Sequence, residues 1–377
     1  MILGYFAPMP PVRSGVADYA ARMSEGFALC GKLRINAPGD LNLYHIGNNH
    51  LHASIYRHAL AAPGVILLHD ALLQHLLLGS LDEAAYIDEF VYNYGAWSRD
   101  LAVTLWTART RAMSDPRFFR YPVLKRLVEN SIAVLVHGEA AKRTVLDHHP
   151  EAEVAVIPHL NLEDPAHTPD RGMRDRYRRQ SLGLRSSDFL IGIYGHLRET
   201  KRIGSVIAAL DLLRERGVRA RLLVAGGFAS DDYERAILPR LEQHEAVLLR
   251  GATAEAEFRL LIAAADVCVN LKYPSVGESS GIAVRAMALG VPVLLSEGSE
   301  AESFPAGTFV PVRAGPSELP SLVESLAWLA RDSRARQTIA SNALADCRAR
   351  RDPRDVCAKL WSWLESLLGA PTPQSPE

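Results

Sequence analysis

The stretch that decides the fold is YPSVGESSGIAVRAMALGVPVL, residues 273–294. It holds a loop of small residues, an apolar run that predicts a helix and a second apolar run typical of a buried strand. Free backbone N–H groups and the helix dipole would favour a phosphate or another anion at Ser279, Ser280 and Gly281. An ordinary helix cap formed by Ser280 explains the same residues, so both interpretations stay open. Glu278 places a carboxylate beside this predicted anion site.

The length and composition predict a two-domain globular protein. The chain has 377 residues, of which 48% are hydrophobic and 23% charged. Its 42 lysines and arginines nearly balance its 43 aspartates and glutamates. This balance argues against general nucleic-acid binding.

The cysteines and the amino terminus predict a cytoplasmic location. The four cysteines are widely scattered, with neither a disulfide framework nor the spacing of zinc ligands. The start MILGYFAPMPP lacks the basic region of a signal peptide, and no apolar run is long enough to span a membrane.

Apolar runs alternate with predicted helices in two parts of the chain. The predicted strands are residues 2–7, 41–47, 64–70 and 132–138, then 189–195, 220–227, 246–251, 266–271 and 292–298. Such runs predict α/β architecture with two facing Rossmann-like domains, each a doubly wound parallel sheet, and a cleft between them. The predicted order is a first domain at 1–165, a polar linker at 166–187, a second domain at 188–351 and a disordered tail at 370–377.

Residues 72–130 predict helices with an aromatic stretch followed by a basic one. The aromatic residues are Tyr86, Phe90, Tyr92, Tyr94 and Trp97, and the basic ones are Arg109, Arg111, Arg117 and Arg120. A core face followed by a solvated face is one interpretation. An acceptor cleft, or a patch that contacts anionic membrane surfaces, is the other.

Two further loops are predicted to bind phosphate. YGHLRETKRIGSVIAAL (194–210) follows an apolar strand and brings Gly195, Lys201 and Arg202 to the start of a helix. PPVRSGVADY (10–19) offers Gly15 after a short strand, where the backbone can approach a ligand closely. Together with the opening stretch, these loops predict binding of a nucleoside diphosphate compound.

Polar residues at strand ends in the first half are candidates for acceptor chemistry. His69 and Asp70 could position or polarise an acceptor hydroxyl. His45, Asn48 and Asn49 could bind a sugar by hydrogen bonds, or form a turn.

These motifs together resemble those of the GT-B glycosyltransferases, specifically the retaining family 4 (glycosyl transferases group 1) type. GHLRETK is similar to a glycine–lysine motif of that family, PPVRSGVADY to its amino-terminal glycine loop, and ADVCVNLKYPSVGE to its donor-site run. The resemblance implies that the carboxy-terminal helix, 352–369, crosses back to pack on the first domain.

The resemblance also implies roles for individual residues. Lys201 would bind the donor diphosphate, residues 279–281 would hold phosphate through main-chain amides, and Gly15 would leave room for it. Glu278 would contact the transferred sugar, and His69 would lie near the reacting carbon and the acceptor.

The sequence departs from the family pattern at two positions of the donor site. The family has an arginine where His196 stands, so Arg198 or Arg202 would supply that charge. Arg285, which like His196 we expect among the donor-binding residues, stands close to the place of a second glutamate that is directed at the ribose. An arginine cannot accept hydrogen bonds from ribose hydroxyls. No DxD triplet occurs, which fits a metal-independent donor site.

The expected function is that of a retaining glycosyltransferase without a metal or other cofactor. It would move a hexosyl group from a UDP- or GDP-hexose to a hydroxyl of a saccharide, lipid-linked or small-molecule acceptor. Two alternatives remain: a non-catalytic nucleotide-sugar-binding or scaffold protein, and a sugar-nucleotide epimerase. Peripheral contact with the inner face of the membrane stays open, and the sequence predicts no oligomeric state.

Overall fold

The computed structural model describes residues 1–12, 14–275 and 279–369. Within these residues the chain forms two six-stranded parallel sheets flanked by helices, which confirms the predicted α/β class. By its contacts the described chain divides into two compact units, one formed by Met1–Leu162 with Ser279 and residues 350–369, the other by Glu163–Ser275 with Ser280–Ala349. Glu278 and the predicted tail at 370–377 lie outside the described residues.

The first unit holds a sheet of strand order β2-β1-β3-β4-β5-β6, in which all neighbours are parallel. Its strands are β1 (Ile2–Phe6), β2 (Lys32–Ile35), β3 (Leu41–Ile46), β4 (Val65–Leu68), β5 (Ala133–Val136) and β6 (Val154–Val156). Its helices up to residue 148 are α1 (Gly15–Ala28), α2 (Ala53–Ala61), α3 (Gln74–Leu78), α4 (Glu83–Tyr94), α5 (Arg99–Thr107), α6 (Lys125–Glu129) and α7 (Glu139–His148).

Both faces of this sheet are covered, as its apolar strands require. Leu43, Leu67 and Leu135 pack into one core cluster, whereas their chain neighbours Ile66 and Val134 pack into the other. The strand order reverses between β1 and β3, which places a topological switch point there.

The second unit holds a sheet of strand order β12-β11-β10-β7-β8-β9, again with parallel neighbours. Its strands are β7 (Phe189–Tyr194), β8 (Ala220–Ala225), β9 (Val247–Arg250), β10 (Val267–Asn270), β11 (Val293–Ser296) and β12 (Val310–Val312). Its helices are α8 (Arg171–Gln180), α9 (Ile203–Glu215), α10 (Asp231–Gln243), α11 (Glu255–Ala264), α12 (Gly281–Ala288), α13 (Glu318–Arg331) and α14 (Ser333–Arg350). Its strand order reverses between β7 and β10.

Residues 166–187 are predicted to form a linker. In the structure they contain α8 and group with the second unit. Asp170 caps this helix by accepting a hydrogen bond from the Met173 N–H. Arg178 donates to the Ala264 carbonyl at 2.6 Å and pairs with Asp266 at 3.0 Å. Because α8 docks through such polar contacts, its composition resembles that of a linker.

The carboxy-terminal helix α15 (Pro353–Gly369) packs on α1 within the first unit. The Cys357 thiol donates to the Met23 carbonyl, and the Trp361 ring lies 5.8 Å from that of Phe27. Glycine at Gly26 allows the close approach, because a Cβ there would lie 2.6 Å from the Cys357 Sγ.

Substitution of Gly26 with alanine is expected to destabilise the first unit by about 1–3 kcal/mol, since the new methyl group would overpack the contact between α1 and α15. Gly204→Ala is the matched control: its Cβ would meet only the flexible end of Arg240, at 3.3 Å. That variant is expected to lose no stability. Denaturant unfolding of both variants checks the contrast, and equal effects would contradict the described packing.

Candidate functional site

The candidate site of the second unit lies at the switch point of its sheet. Gly195 follows β7 directly, and Asn270 is the last residue of the neighbouring strand β10. In doubly wound sheets, ligands bind outside the carboxyl ends of the strands at such a reversal. The fold therefore brings the loops after β7 and β10 to one place.

Gly195 lets the loop after β7 run close to α12. Its φ is +85°, a conformation that other residues rarely adopt, and a Cβ there would lie 3.1 Å from Ile282 in the first turn of α12. The predicted phosphate loop and the predicted phosphate helix are thus neighbours.

Lys201 is buried beside the end of β10. It closes a short 3₁₀ turn (Glu199–Lys201), and its Nζ donates to the Asn270 Oδ1 at 3.4 Å. Only 6% of Lys201 is exposed, and no carboxylate among the described residues lies within ion-pair distance of its Nζ. Within the described part of the chain, the site therefore contains a buried cation without a paired anion, which is unusual because an unpaired buried charge is costly.

Ser280 contacts the same amide oxygen. Its hydroxyl donates to the Asn270 Oδ1 at 3.3 Å and accepts from the Ala283 N–H at 3.3 Å as the cap of α12. Ser280 thus acts as the ordinary helix cap and also lies beside Lys201. The two interpretations of the opening stretch are compatible in this geometry.

A second buried lysine lies near the first. Lys272 is 6% exposed, and its Nζ lies 3.8 Å from the Glu300 Oε2. Glu300, itself 2% exposed, also accepts a hydrogen bond from the Asn270 Nδ2 at 3.1 Å. Among the described residues, two buried lysines thus lie near one buried carboxylate.

Burial and neighbouring positive charges perturb the protonation of the cluster. Burial, followed by repulsion from Arg198 and Lys272, lowers the pKa of Lys201 to about 7. Burial lowers the pKa of His196 below its ordinary value, and the positive charges of Arg198 and Lys201 lower it further. An added anion would reverse these shifts, because opposite charge favours the protonated form.

The other predicted donor-binding cations are engaged elsewhere, with one exception. Arg202 donates to both carboxylate oxygens of the buried Glu318, at 2.9 and 3.0 Å. Arg285 donates to the Glu163 Oε1 at 2.6 Å and also pairs with Glu255. In contrast, the Arg198 Nε is buried with no hydrogen-bond partner among the described residues.

Arg285 is part of a buried ion-pair network rather than of the Lys201 cluster. Glu163, 2% exposed, accepts from Arg285 through one oxygen and from Arg259 through the other, at 2.5 Å. The Arg285 guanidinium also lies over the Phe258 ring. These contacts account for an arginine near the place of the family's second glutamate.

Two predicted phosphate residues group with the first unit. Gly15 opens α1, where a Cβ would meet nothing within 4 Å, and Ser14 caps the helix by accepting from the Ala17 N–H. Ser279 groups with this unit as well, and its hydroxyl has no hydrogen-bond partner in the described parts of the chain. Gly281 is the first residue of α12.

The first sheet ends in four histidines. His45 is in β3, His69 follows β4, and His137 and His159 follow β5 and β6. The Tyr19 ring from α1 packs against all four rings, with centroids 4.8 to 6.3 Å apart. His69 is partly exposed, whereas the other three are buried.

Three of these histidines form a hydrogen-bonded chain. The His45 Nδ1 lies 3.0 Å from the His69 Nε2, and the His69 Nδ1 lies 3.4 Å from the His137 Nε2. The His137 Nδ1 faces the Ile157 carbonyl at 3.3 Å. Both ring nitrogens of His69 are therefore engaged inside the protein.

The predicted acceptor residues Asn48 and Asn49 cap short helices. The Asn48 side chain accepts from the backbone N–H groups of His75 and Leu76, and Asn49 accepts from that of Leu51. Asp70 accepts from the Asn48 N–H at 2.9 Å. These three residues thus fix the loops near the histidines.

The free energy of unfolding is expected to fall as the pH decreases below about 6.5. Burial lowers the pKa of His45 and His69 well below the ordinary value and that of His137 to about 4. Under acid the unfolded chain binds protons that the folded chain does not, so stability is lost. His137 alone would contribute roughly 3 kcal/mol between about pH 6.5 and about pH 4.

Denaturant unfolding at a series of pH values checks this dependence. His137→Gln, which cannot titrate, should show a shallower loss of stability in acid than the wild type. A wild-type profile that is flat over this range would contradict the described burial.

The aromatic and basic stretch of residues 72–130 divides between core and surface. Tyr86 and Phe90 are fully buried, whereas 71% of Trp97 is exposed. Arg117 pairs with Asp115, and Arg109 lies over the Trp106 ring.

No helix in the described residues is long and apolar enough to cross a membrane. Likewise, no group of three or more His, Cys, Asp or Glu there could hold a metal ion.

Several residues of the Lys201 cluster and of the histidine group were not predicted from the sequence. Asn270, Lys272 and Glu300 surround Lys201, and His137 and His159 complete the histidine group. A polar residue at the end of an apolar strand was the available signal for Asn270 and His137.

Comparison with known proteins identifies the second unit. Residues 175–344 match the sequence profile of the family described as glycosyl transferases group 1. This range holds both the loop after β7 and helix α12. A comparison with curated protein sequences gives no significant match.

Solved structures match along nearly the whole chain. The Anabaena protein HepE in complex with UDP and glucose is 17% identical, with a TM-score of 0.68, and covers 97% of this chain and 100% of its own. The sucrose-phosphate synthase of Thermosynechococcus elongatus is 15% identical, with a TM-score of 0.70 and coverages of 98% and 100%. WaaG, a glycosyltransferase involved in lipopolysaccharide biosynthesis, is 16% identical, with a TM-score of 0.59 and coverages of 98% and 100%. Residues 175–344 thus match the glycosyl transferases group 1, and the chain as a whole has the GT-B fold of these glycosyltransferase structures.

Proposed function

We propose that this protein is a retaining glycosyltransferase of family 4 type. It transfers a hexosyl group from a nucleoside diphosphate sugar, UDP- or GDP-hexose, to the hydroxyl of an acceptor. The observation that supports this most is the buried Lys201, whose charge has no paired carboxylate among the described residues. A bound anion would pair with this lysine. A diphosphate is such an anion, and it would also bind at the amino-terminal end of α12.

The site chemistry fits a donor diphosphate in several respects. Gly195 allows close backbone approach, and Ser280 presents the first turn of α12 beside Lys201. These groups would neutralise the charge that develops on the leaving phosphate without a metal ion. The profile match over this same segment and the UDP bound by HepE support the assignment.

The first unit supports a mechanism in which the leaving phosphate accepts the acceptor's proton. Both ring nitrogens of His69 are hydrogen-bonded to other histidines, and Asp70 is bonded to a backbone N–H. His69 has no free ring nitrogen among the described contacts, and we assign both His69 and Asp70 to positioning the acceptor. The acceptor itself is a saccharide, a lipid-linked carrier or a small molecule.

Glu278→Gln is expected to reduce turnover roughly 10- to 100-fold, because a charged hydrogen bond to the transferred sugar is worth about 1.5–3 kcal/mol. Glu297→Gln, which changes an exposed carboxylate of the second unit, is the matched control and should keep full activity. Labelled UDP- and GDP-hexoses would be incubated with an acceptor panel, and the anomeric configuration of the product would be read by NMR.

The outcomes of this experiment separate the alternatives. Transfer with retained configuration supports the proposal, and inverted product would overturn the retaining assignment. A changed sugar without any acceptor would indicate an epimerase. Binding of donor with neither transfer nor hydrolysis would favour a nucleotide-sugar-binding or scaffold protein.

A further inference from the structure

The histidine chain at the end of the first sheet has a fixed direction. The His137 Nδ1 lies against the Ile157 carbonyl, and a carbonyl oxygen can only accept a hydrogen bond. The proton of a neutral His137 is therefore on Nδ1, which leaves a lone pair on Nε2. That lone pair faces the His69 Nδ1, which must be the donor.

The tautomer of His45 is fixed in the same way. Since His69 carries its proton on Nδ1, its Nε2 accepts from the His45 Nδ1–H at 3.0 Å. The His45 Nε2 is then unprotonated, and it is a buried nitrogen without a hydrogen-bond partner among the described residues. The donor and the acceptor of each hydrogen bond are thus determined by the bond before it, starting at the Ile157 carbonyl.

The surroundings keep this chain uncharged and in place. Tyr19 packs edge-on against His69, His137 and His159, and Tyr5 packs edge-on against His45. The buried rings have lowered pKa values because of desolvation, so a proton added to any of them is disfavoured. Neutral imidazole in water prefers the opposite tautomer, with the proton on Nε2, so the protein must impose the arrangement.

We infer that His137 is a positioning residue that holds His69 as a neutral ring with its proton on Nδ1 and its Nε2 lone pair occupied by His45. The tautomer assignment depends only on the described contacts. Its consequence for sugar transfer rests on the proposed function: His69 directs the acceptor but does not remove its proton.

The tautomers can be read directly by long-range ¹H–¹⁵N correlation on the full chain with ¹⁵N-labelled histidine at neutral pH. The expected spectrum shows His45, His69 and His137 protonated on Nδ1, with assignments taken from single substitutions. His244 is an internal reference of the opposite kind, since its Nδ1 accepts from the Ala246 N–H and its Nε2 lies 2.7 Å from Asp211. A wild-type His69 that is protonated on Nε2, or charged, would overturn the inference.

Two variants test the role of His137. His137→Gln keeps an acceptor oxygen near the position of Nε2, and His137→Phe removes it. The glutamine variant should preserve the His69 tautomer and keep turnover within about threefold, whereas the phenylalanine variant should change the tautomer and lower turnover at least about tenfold. Equal spectra of His69 in both variants would contradict the role.

If His137→Phe does not fold, the wild-type spectrum still tests the tautomer of His69, and His137→Leu replaces it as the variant that removes the acceptor. The spectra and the turnover assay also distinguish the tautomer inference from the proposed function. If the histidines have the expected tautomers but the protein transfers no sugar, the inference about the rings stands and the proposed function is wrong.

Discussion

Replacing Lys201 with methionine is expected to weaken binding of a nucleoside diphosphate by roughly two to three orders of magnitude, because truncating one partner of a buried charge pair costs about 3–4 kcal/mol. The stability of the free protein is expected to stay the same or to rise. Lys201 is a buried cation whose observed partner is one amide oxygen, so methionine removes a desolvation cost without leaving a carboxylate unpaired. Isothermal titration and thermal unfolding measure the two effects.

Lys272→Met is the matched control for this variant. Lys272 is equally buried but lies beside the buried carboxylate of Glu300. Its removal is therefore expected to destabilise the protein, in contrast to Lys201→Met. If Lys201→Met destabilised the protein and left nucleotide binding unchanged, the lysine would be structural and the proposed donor site would be wrong.

Binding should also depend on pH through Lys201. With its pKa lowered to about 7 in the free protein, the lysine must take up a proton when an anion raises that pKa again. Affinity should therefore fall by up to about tenfold for each unit of pH above about 7. Lys201→Arg keeps its charge over this range and should lose the dependence.

The second large effect concerns the stability of the second unit. Arg285→Met is expected to lower the free energy of unfolding by about 2–3 kcal/mol, because the buried Glu163 loses one of its charged hydrogen-bond donors. Of the two arginines that contact Glu163 in the described part of the chain, Arg259 would remain, and this carboxylate is 2% exposed. Arg235→Met breaks an exposed pair with Asp232 and should change stability by less than about 1 kcal/mol.

This experiment also decides between two roles for Arg285. The sequence suggests a donor-binding residue, whereas the described contacts engage all three guanidinium nitrogens with Glu163 and Glu255. A variant that remains stable but no longer binds nucleotide would support the sequence interpretation and contradict the network.

The parts of the fold that could be predicted are those whose signal lies in a continuous apolar run. The central strands of both sheets are buried on two faces and were predicted within about two residues at each end. The strands β2, β6 and β12 were missed, and all three lie at sheet edges. Edge strands are short and partly exposed, so KLRI and VPV have no distinctive pattern.

The site could be predicted only in part for a related reason. Lys201, Gly195 and Ser280 stand in local motifs, and the structure brings them together at one switch point. Asn270 and Glu300 belong to the same cluster through tertiary contacts alone, which no local pattern shows. Conversely, Arg202 and Arg285 are suitable phosphate ligands in the sequence, but their buried carboxylate partners come from distant segments.

The proposed donor site is tested by thermal unfolding of the purified chain with UDP, GDP, ADP, TDP and their hexose conjugates, in EDTA. A nucleotide at about 100 times its dissociation constant should add roughly 2.7 kcal/mol to the stability of the wild type. We expect a clear rise of Tm with one base, without metal, in the wild type, and no such rise in Lys201→Met. No rise with any of these ligands would contradict the proposed donor site.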